Sequence, residues 1–284
     1  MSQFLNRECL KEYIDSEKLE FLISLKNIAK EAKLSSRHLY KQFNGIFAAG
    51  NLNLLKKPKV AIIGTRTPNQ YVKQHTAILS AQLSQKGFVI LSGGAIGIDS
   101  IAHSHSGDNS ILVSPAGLNL NYPKENSSLI ERIRSNALIL SEYEESVMPR
   151  AYSFLERNRI IVILSDLVII PQADLRSGSS SSANLCIALK KNLFVFPHRM
   201  NESLGTQELL SRGSAKAIYD IESFVTSLCE KFEIVYEERQ QDTLLEFASK
   251  NGLFAEAMQK FGNQVLEYEL EGKIKRNGIY IELG

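Results

Sequence analysis

The chain has 284 residues, 44% of them hydrophobic and 23% charged, an ordinary globular composition with room for one large domain and smaller appendages. Its 33 basic and 31 acidic residues leave a formal charge of +2, so any polyanionic partner has to be argued from local patches. No apolar run approaches the roughly 20 residues of a membrane-spanning helix, the N-terminus lacks the form of a signal peptide, and Cys9, Cys186 and Cys229 are scattered without CxxC spacing, so a cytoplasmic protein without disulfide, metal site or membrane contact is expected.

In chain order, residues 1–50 read as an N-terminal helical segment, with Leu19, Phe21, Leu22, Leu25, Ile28 and Ala29 at helical spacing. The stretch Ile28 to Phe43 resembles a helix-turn-helix of the AraC kind, but short matches of this sort recur by chance and a plain helical hairpin is expected. Residues 51–220 then alternate strands and helices. Val60 to Ile63 is a buried strand, followed by a turn at Gly64, Thr65 as a plausible N-cap, and a helix over Tyr71 to Lys86. Phe88 to Leu91, Ser110 to the Pro115/Gly117 turn, Ala137 to Leu140, Leu167 to Ile170 and Leu193 to Phe196 are further strands. Helices are expected from Ile98, over Leu129 to Ser135, and from Ser177 to about Lys190. This density of alternation predicts an α/β fold: a Rossmann-like, doubly wound, mostly parallel sheet. Residues 221–242 read as a linker that opens with a helix or strand and ends in the polar run Glu237 to Asp242. Residues 243–284 have two or three helices and a hairpin turning at Asn277-Gly278, the outline of a C-terminal winged-helix-like domain. Its recognition-helix position carries Glu267 and Glu269, which phosphate repels, so a protein-contact or packing role is expected there.

Three polar loops fall at strand-to-helix turns: Gly64-Thr65-Arg66, Ser92-Gly93-Gly94-Ala95 and Ser177-Gly178-Ser179. Helix starts with free N–H groups attract anions, and a guanidinium is a planar fork of donors suited to phosphate. Three such loops in one sheet predict an anion-binding cleft. No G-x-G-x-x-G or P-loop spacing is present, which argues against a dinucleotide site or an ATPase. His103 and His105 lie two apart, but without further ligands nearby they read as helix-side residues rather than a metal pair.

These motifs, in this order over about 50–220, resemble the DNA-processing protein A family (DprA/Smf). The family's G-S-R-x-x-S-x-Y turn is matched by Gly64-Thr65-Arg66 through Tyr71, and its S-G-x-A-x-G-I-D-x-x-A-H by Ser92, Gly93, Ala95, Gly97, Ile98, Asp99, Ala102 and His103. G-L-D-x-x-Y-P-x-x-N falls on Gly117, Leu118, Tyr122, Pro123 and Asn126, with Ser141-Glu142 after it. F-P-x-R-N-R-I-I falls on Phe154, Arg157, Asn158, Arg159, Ile160 and Ile161, and S-G-S-x-x-T-A on Ser177, Gly178, Ser179 and Ala183. The resemblance implies a protein that is not an enzyme and needs no cofactor. It implies a homodimer that binds single-stranded DNA, protects it, and loads RecA recombinase in natural transformation.

By the same resemblance Arg66 holds a phosphate or base edge, and Phe154 stacks on a base, a contact worth about 1–3 kcal/mol. The nucleic-acid-binding set is then Gly64, Thr65, Arg66, Gly93, Gly94, Phe154, Arg157, Asn158, Arg159, Ser177, Gly178 and Ser179, with no catalytic residue. Arg157 and Arg159 have two readings: on a strand both line one basic groove, or both tie strand ends to carboxylates such as Glu142 or Asp99. Asp99 is expected to brace its helix. The chain departs from the family pattern at Asn119 (Asp), Gln172 (Glu), Leu155 (Pro), Ser182 (Thr), His198 (Gly) and Gln207 (Asn). Loss of two carboxylates makes a hydrolytic site less credible, yet it leaves room for an alternative: a nucleotide-sensing or nucleotide-hydrolysing module of the phosphoribohydrolase type. That type's P-G-G-x-G-T-x-x-E loop is not found in this sequence.

Overall fold

A computed structural model of the protein describes residues 2–34, 42–234, 243–249 and 252–284. The chain forms two compact units, Met1–Ile234 and Val235–Gly284. The first runs β1 (Gln3–Asn6), α1 (Arg7–Leu10), α2 (Ser16–Glu31), β2 (Gly45–Gly50), β3 (Lys59–Ile62), α3 (Gln70–Gln85), β4 (Val89–Ser92), α4 (Ile98–His105) and β5 (Ser110–Ser114). It continues with α5 (Ser127–Asn136), β6 (Leu138–Ser141), α6 (Ser153–Leu164), β7 (Leu167–Ile170), α7 (Gly178–Ala188), β8 (Asn192–Val195), α8 (Leu204–Ser211), β9 (Lys216–Ala217) and α9 (Ile221–Lys231).

These strands form one sheet in the order β1-β2-β6-β5-β4-β3-β7-β8-β9. Pairing is parallel from β6 across to β9 and antiparallel at β1–β2 and β2–β6. Every residue of β3, β4, β5, β6 and β7 is buried, as expected for strands covered by helices on both faces. From β3 the chain moves outward through β4, β5 and β6, then returns to lay β7 on the other flank of β3. The order therefore reverses between β3 and β7, and open α/β sheets hold ligands outside the carboxyl ends of strands at such a point.

One expectation needs correction. The N-terminal 50 residues are not only helical: β1 and β2 extend the sheet at one edge. Their glycines and short length hide the strand signal, and pairing with β6 supplies what local propensity lacks. The second half of the helix-turn-helix stretch lies at 35–41, outside the described residues. The apolar run Ile160 to Leu164 belongs to helix α6 and is buried on all sides. It packs against β3 and β5 on one side and α2 and α7 on the other. Burial of each such side chain contributes about 1.5–3 kcal/mol, which outweighs the few tenths by which β-branched residues disfavour a helix. The stretch expected as a linker opens with α9, whose segment packs Phe224 on Phe194 and Phe232 on Phe88 at ring separations of 4.9 and 5.7 Å. Residues 235–242 lie outside the described residues.

The second unit has α10 (Thr243–Ser249), α11 (Phe254–Phe261), α12 (Gln264–Leu270) and a hairpin of β10 (Ile274–Asn277) and β11 (Tyr280–Leu283). Leu244, Ala248, Ala257, Val265, Ile274 and Ile281 form its small core. No described helix is long and apolar enough to cross a membrane.

His103 lies fully buried on α4, its Nδ1 2.6 Å from Ser110 Oγ, and burial pushes its pKa down to about 3. The unfolded imidazole titrates near 6.5. The folded state thus binds fewer protons between these values, and stability present above pH 6.5 is lost as pH falls toward 3, by about 1.4 kcal/mol per unit. Urea unfolding at pH 7, 6 and 5 should show this loss, and His103→Asn should flatten it. A variant with the parent's pH dependence would assign the effect to another group.

Candidate nucleic-acid interface

The loop after β3 is locked at the point of reversal. Thr65 N–H donates to Gln172 O at 3.0 Å, and Asn69 N–H donates to Gln172 Oε1 at 3.0 Å. Asn69, not Thr65, is the N-cap of α3, its Oδ1 accepting from Val72 N–H at 2.9 Å. Thr65 Oγ1 instead accepts from Thr67 N–H at 3.3 Å, a turn inside the loop. The second loop closes against the first through Gly97, which has φ +93 and stands where a Cβ would lie 2.5 Å from Thr65 O and 2.6 Å from Arg66 O. Only glycine meets both demands. Ile98 N–H then donates to Thr65 O at 3.2 Å.

Arg66 emerges from this framework exposed, with its Cζ 5.5 Å from the Phe154 ring centroid. Phe154 is half-buried at the start of α6, and its centroid is 5.8 Å from that of Tyr122. Among the described residues no carboxylate pairs with Arg66. The result is an exposed guanidinium beside the Phe154 ring, which in turn packs beside Tyr122, a combination that suits a charged backbone carrying stackable bases. Tyr122 is a member the sequence reading missed. It stands with exposed Lys124 on a loop that Asn126 Nδ2 ties to Gly94 O at 2.9 Å. The Asn121 to Asn126 motif signalled a turn, but not which loop it would meet.

The other two arginines point inward, which corrects their assignment to the nucleic-acid-binding set. Both lie on α6, so the strand geometry invoked for a shared face does not apply. Arg157 is 5% exposed; its Nη1 donates to Gly93 O and, at 2.7 Å, to Val113 O, while Nε donates to Asn158 Oδ1 at 3.0 Å. A Cβ at position 93 would overlap this guanidinium, so Gly93 makes room for a structural arginine. Burial pushes the Arg157 pKa down to about 10, opposed by the nearby Asp99 charge. Asp99 accepts from Gly93 N–H at 3.2 Å and Ala95 N–H at 3.4 Å, so it braces the preceding loop rather than its own helix. Arg159 is fully buried and its Nη2 donates to both oxygens of Glu142, at 2.5 and 2.7 Å.

The third loop forms the start of α7. Ser177 caps it, accepting from Ser180 N–H at 3.2 Å and donating to Asp174 O at 2.9 Å. Ser179 is buried, and a Cβ at Gly178 would sit 3.8 Å from Asn158 Nδ2, so Asn158, which accepts from Arg157 Nε, lies next to this helix start. His105 Nδ1 bonds Ile101 O at 2.9 Å on α4 while His103 faces Ser110, so the two imidazoles serve different neighbours. No group of three or more His, Cys, Asp or Glu among the described residues is arranged to hold a metal ion.

A family model for DNA recombination-mediator protein A matches residues 30–229. The DNA processing protein DprA of Bacillus subtilis is 35% identical over 192 residues, covering 66% of this chain and 64% of its own length. That of Streptococcus pneumoniae is 36% identical over 175 residues, covering 60% of this chain and 61% of its own. This chain therefore spans less than two thirds of those relatives. Among solved structures, DNA processing protein A of Helicobacter pylori, described for its single-stranded DNA binding mode, aligns with TM-score 0.66 and 48% identity over 69% of this chain and 91% of that one. The S. pneumoniae structure aligns with TM-score 0.61 and 32% identity over 68% of each chain.

The Arg159–Glu142 pair predicts its own test. Removing one partner strands a buried charge at a cost of about 3–5 kcal/mol, whereas an apolar pair of similar volume is close to neutral. Chemical denaturation should find Arg159→Ala strongly destabilised and Arg159→Met/Glu142→Leu near the parent. Equal loss in both would show that the pair matters for more than its charge.

Proposed function

The chain belongs to the DNA recombination-mediator protein A family, and from that premise we propose that it binds single-stranded DNA along the carboxyl edge of its sheet, with little sequence preference. The observation that carries the reading is Arg66, an exposed guanidinium at the reversal point, 5.5 Å from the Phe154 ring and unpaired by any described carboxylate. Gly64 and Thr65 hold its loop, Gly94 anchors the Tyr122 loop, and Ser177, Gly178 and Ser179 open α7 with N–H groups toward the same edge. Arg157, Asn158 and Gly93 shape this surface from beneath. Phosphate binding supplies affinity, and ring stacking tolerates every base.

In this reading the protein covers incoming single strands, loads RecA recombinase onto them during natural transformation and recombination, and works as a cytoplasmic homodimer. Family membership supports those steps. Residues 243–284 act as a separate winged-helix-like domain. Its α12 carries Glu267 and Glu269, an acidic face suited to protein rather than DNA.

Titration of a fluorescent oligo(dT) at several salt concentrations tests the site. Arg66→Ala should weaken binding at least tenfold and lower the salt slope by about 0.7, the value for one phosphate on a single strand. Phe154→Ala should weaken binding by about 1–3 kcal/mol and leave that slope in place. Parent-like affinity in Arg66→Ala would remove this residue from the site.

A further inference from the structure

A second group of rings lies on the other side of the Arg66 loop. Tyr71, in the first turn of α3, is 40% exposed, and its ring centroid is 4.4 Å from that of His75 one turn later. Buried Phe196, just past β8, meets the two rings edge-on at 6.3 and 6.4 Å, and His198 meets Tyr71 edge-on at 6.1 Å. These contacts fix the rings' orientation. His75 Nδ1 is within 2.8 Å of Tyr71 O, and His198 Nε2 within 2.8 Å of Pro171 O, which joins the loops after β7 and β8. Exposed Lys73, Arg176 and Arg199 stand on α3 and on these same two loops, against exposed Asp174 and Glu202.

We infer that Tyr71 and His75 form a second stacking site, which takes an unpaired base of the bound single strand beyond the Arg66–Phe154 contact. The inference rests on the single-stranded DNA reading and extends it. An aromatic ring that is braced by its edges while open to solvent, with exposed cations on the same helix and the adjoining loops, has the makeup of a base platform in a single-strand groove. Position supports the same conclusion. Tyr122 follows β5 and Phe196 follows β8, and those strands are four places apart in the sheet, about 19 Å at the usual spacing. One stacking contact cannot serve both ends. A strand crossing the reversal point would meet Phe154 and Tyr122 first, then Arg66, then Tyr71 and His75.

The chain has no tryptophan, so Tyr71→Trp and Phe154→Trp each introduce a single reporter into the full protein. On titration with oligo(dT), stacking should quench the Tyr71→Trp emission, and Tyr71→Ala should weaken binding by about fivefold to a hundredfold. Should Tyr71→Ala fail to fold, as judged by urea unfolding, the tryptophan reporter still decides. If Phe154→Trp is quenched while Tyr71→Trp stays bright and Tyr71→Ala binds like the parent, the second site is overturned and the single-strand reading stands. If the parent binds no oligo(dT) and neither reporter responds, both readings fail.

Discussion

The arrangement of this protein depends on a guanidinium that is not available to a ligand. Arg157 lies inside the first unit, bonded to the carbonyl ends of the β4 loop and of β5, with Asp99 bracing the same loop from its amides. A buried cation is tolerated only when its donors are satisfied and a counter-charge is near. Satisfying it draws the glycine loop after β4 into one shape. That shape presents Gly97 to the carbonyls of Thr65 and Arg66, and so sets the loop from which Arg66 projects.

A division of labour among cations follows. Arg157 and Arg159 are anchored internally on α6, while Arg66 and Lys124 remain exposed. Exposed charge is inexpensive to keep hydrated and can be given up to phosphate, whereas a buried pair such as Arg159–Glu142 would have to be broken first. The departures from the family pattern fit this division. Gln172 accepts from Asn69 N–H, and Asn119 accepts from Ser146 N–H at 2.6 Å. Both amides do loop-holding work as neutral groups, leaving less negative charge near a surface proposed to meet phosphate.

Pairing at the sheet's edge has a different cause. β1 and β2 are short and contain glycine at both ends of β2, so neither has an alternating pattern long enough to read as a strand. They become strands because β6 offers a row of unpaired backbone groups that must be satisfied. The same logic makes α6 a helix through four consecutive β-branched residues: its place between the sheet and two other helices rewards burial on every face.

What the amino-acid order determined by itself is the central architecture and the polar loops at the carboxyl edge of its sheet. Strands β3, β4, β5, β6, β7 and β8 and helices α3, α4, α5 and α7 are legible because apolar runs, glycine turns and helical spacing are local signals, read over a few residues. The Arg66 loop and the pairing of Ser-Gly turns with helix starts were legible for the same reason. Only the tertiary structure decided which arginines turn inward, that Asn69 rather than Thr65 caps α3, that Tyr122 stands beside Phe154, and that Tyr71 packs against Phe196. Each of these depends on a neighbour far away in sequence: Gly93 and Val113 for Arg157, Glu142 for Arg159, Gln172 for Asn69, Phe196 for Tyr71. A charged or aromatic residue has the same letter whether it is buried or free, and only the neighbours that folding brings to it settle which it becomes.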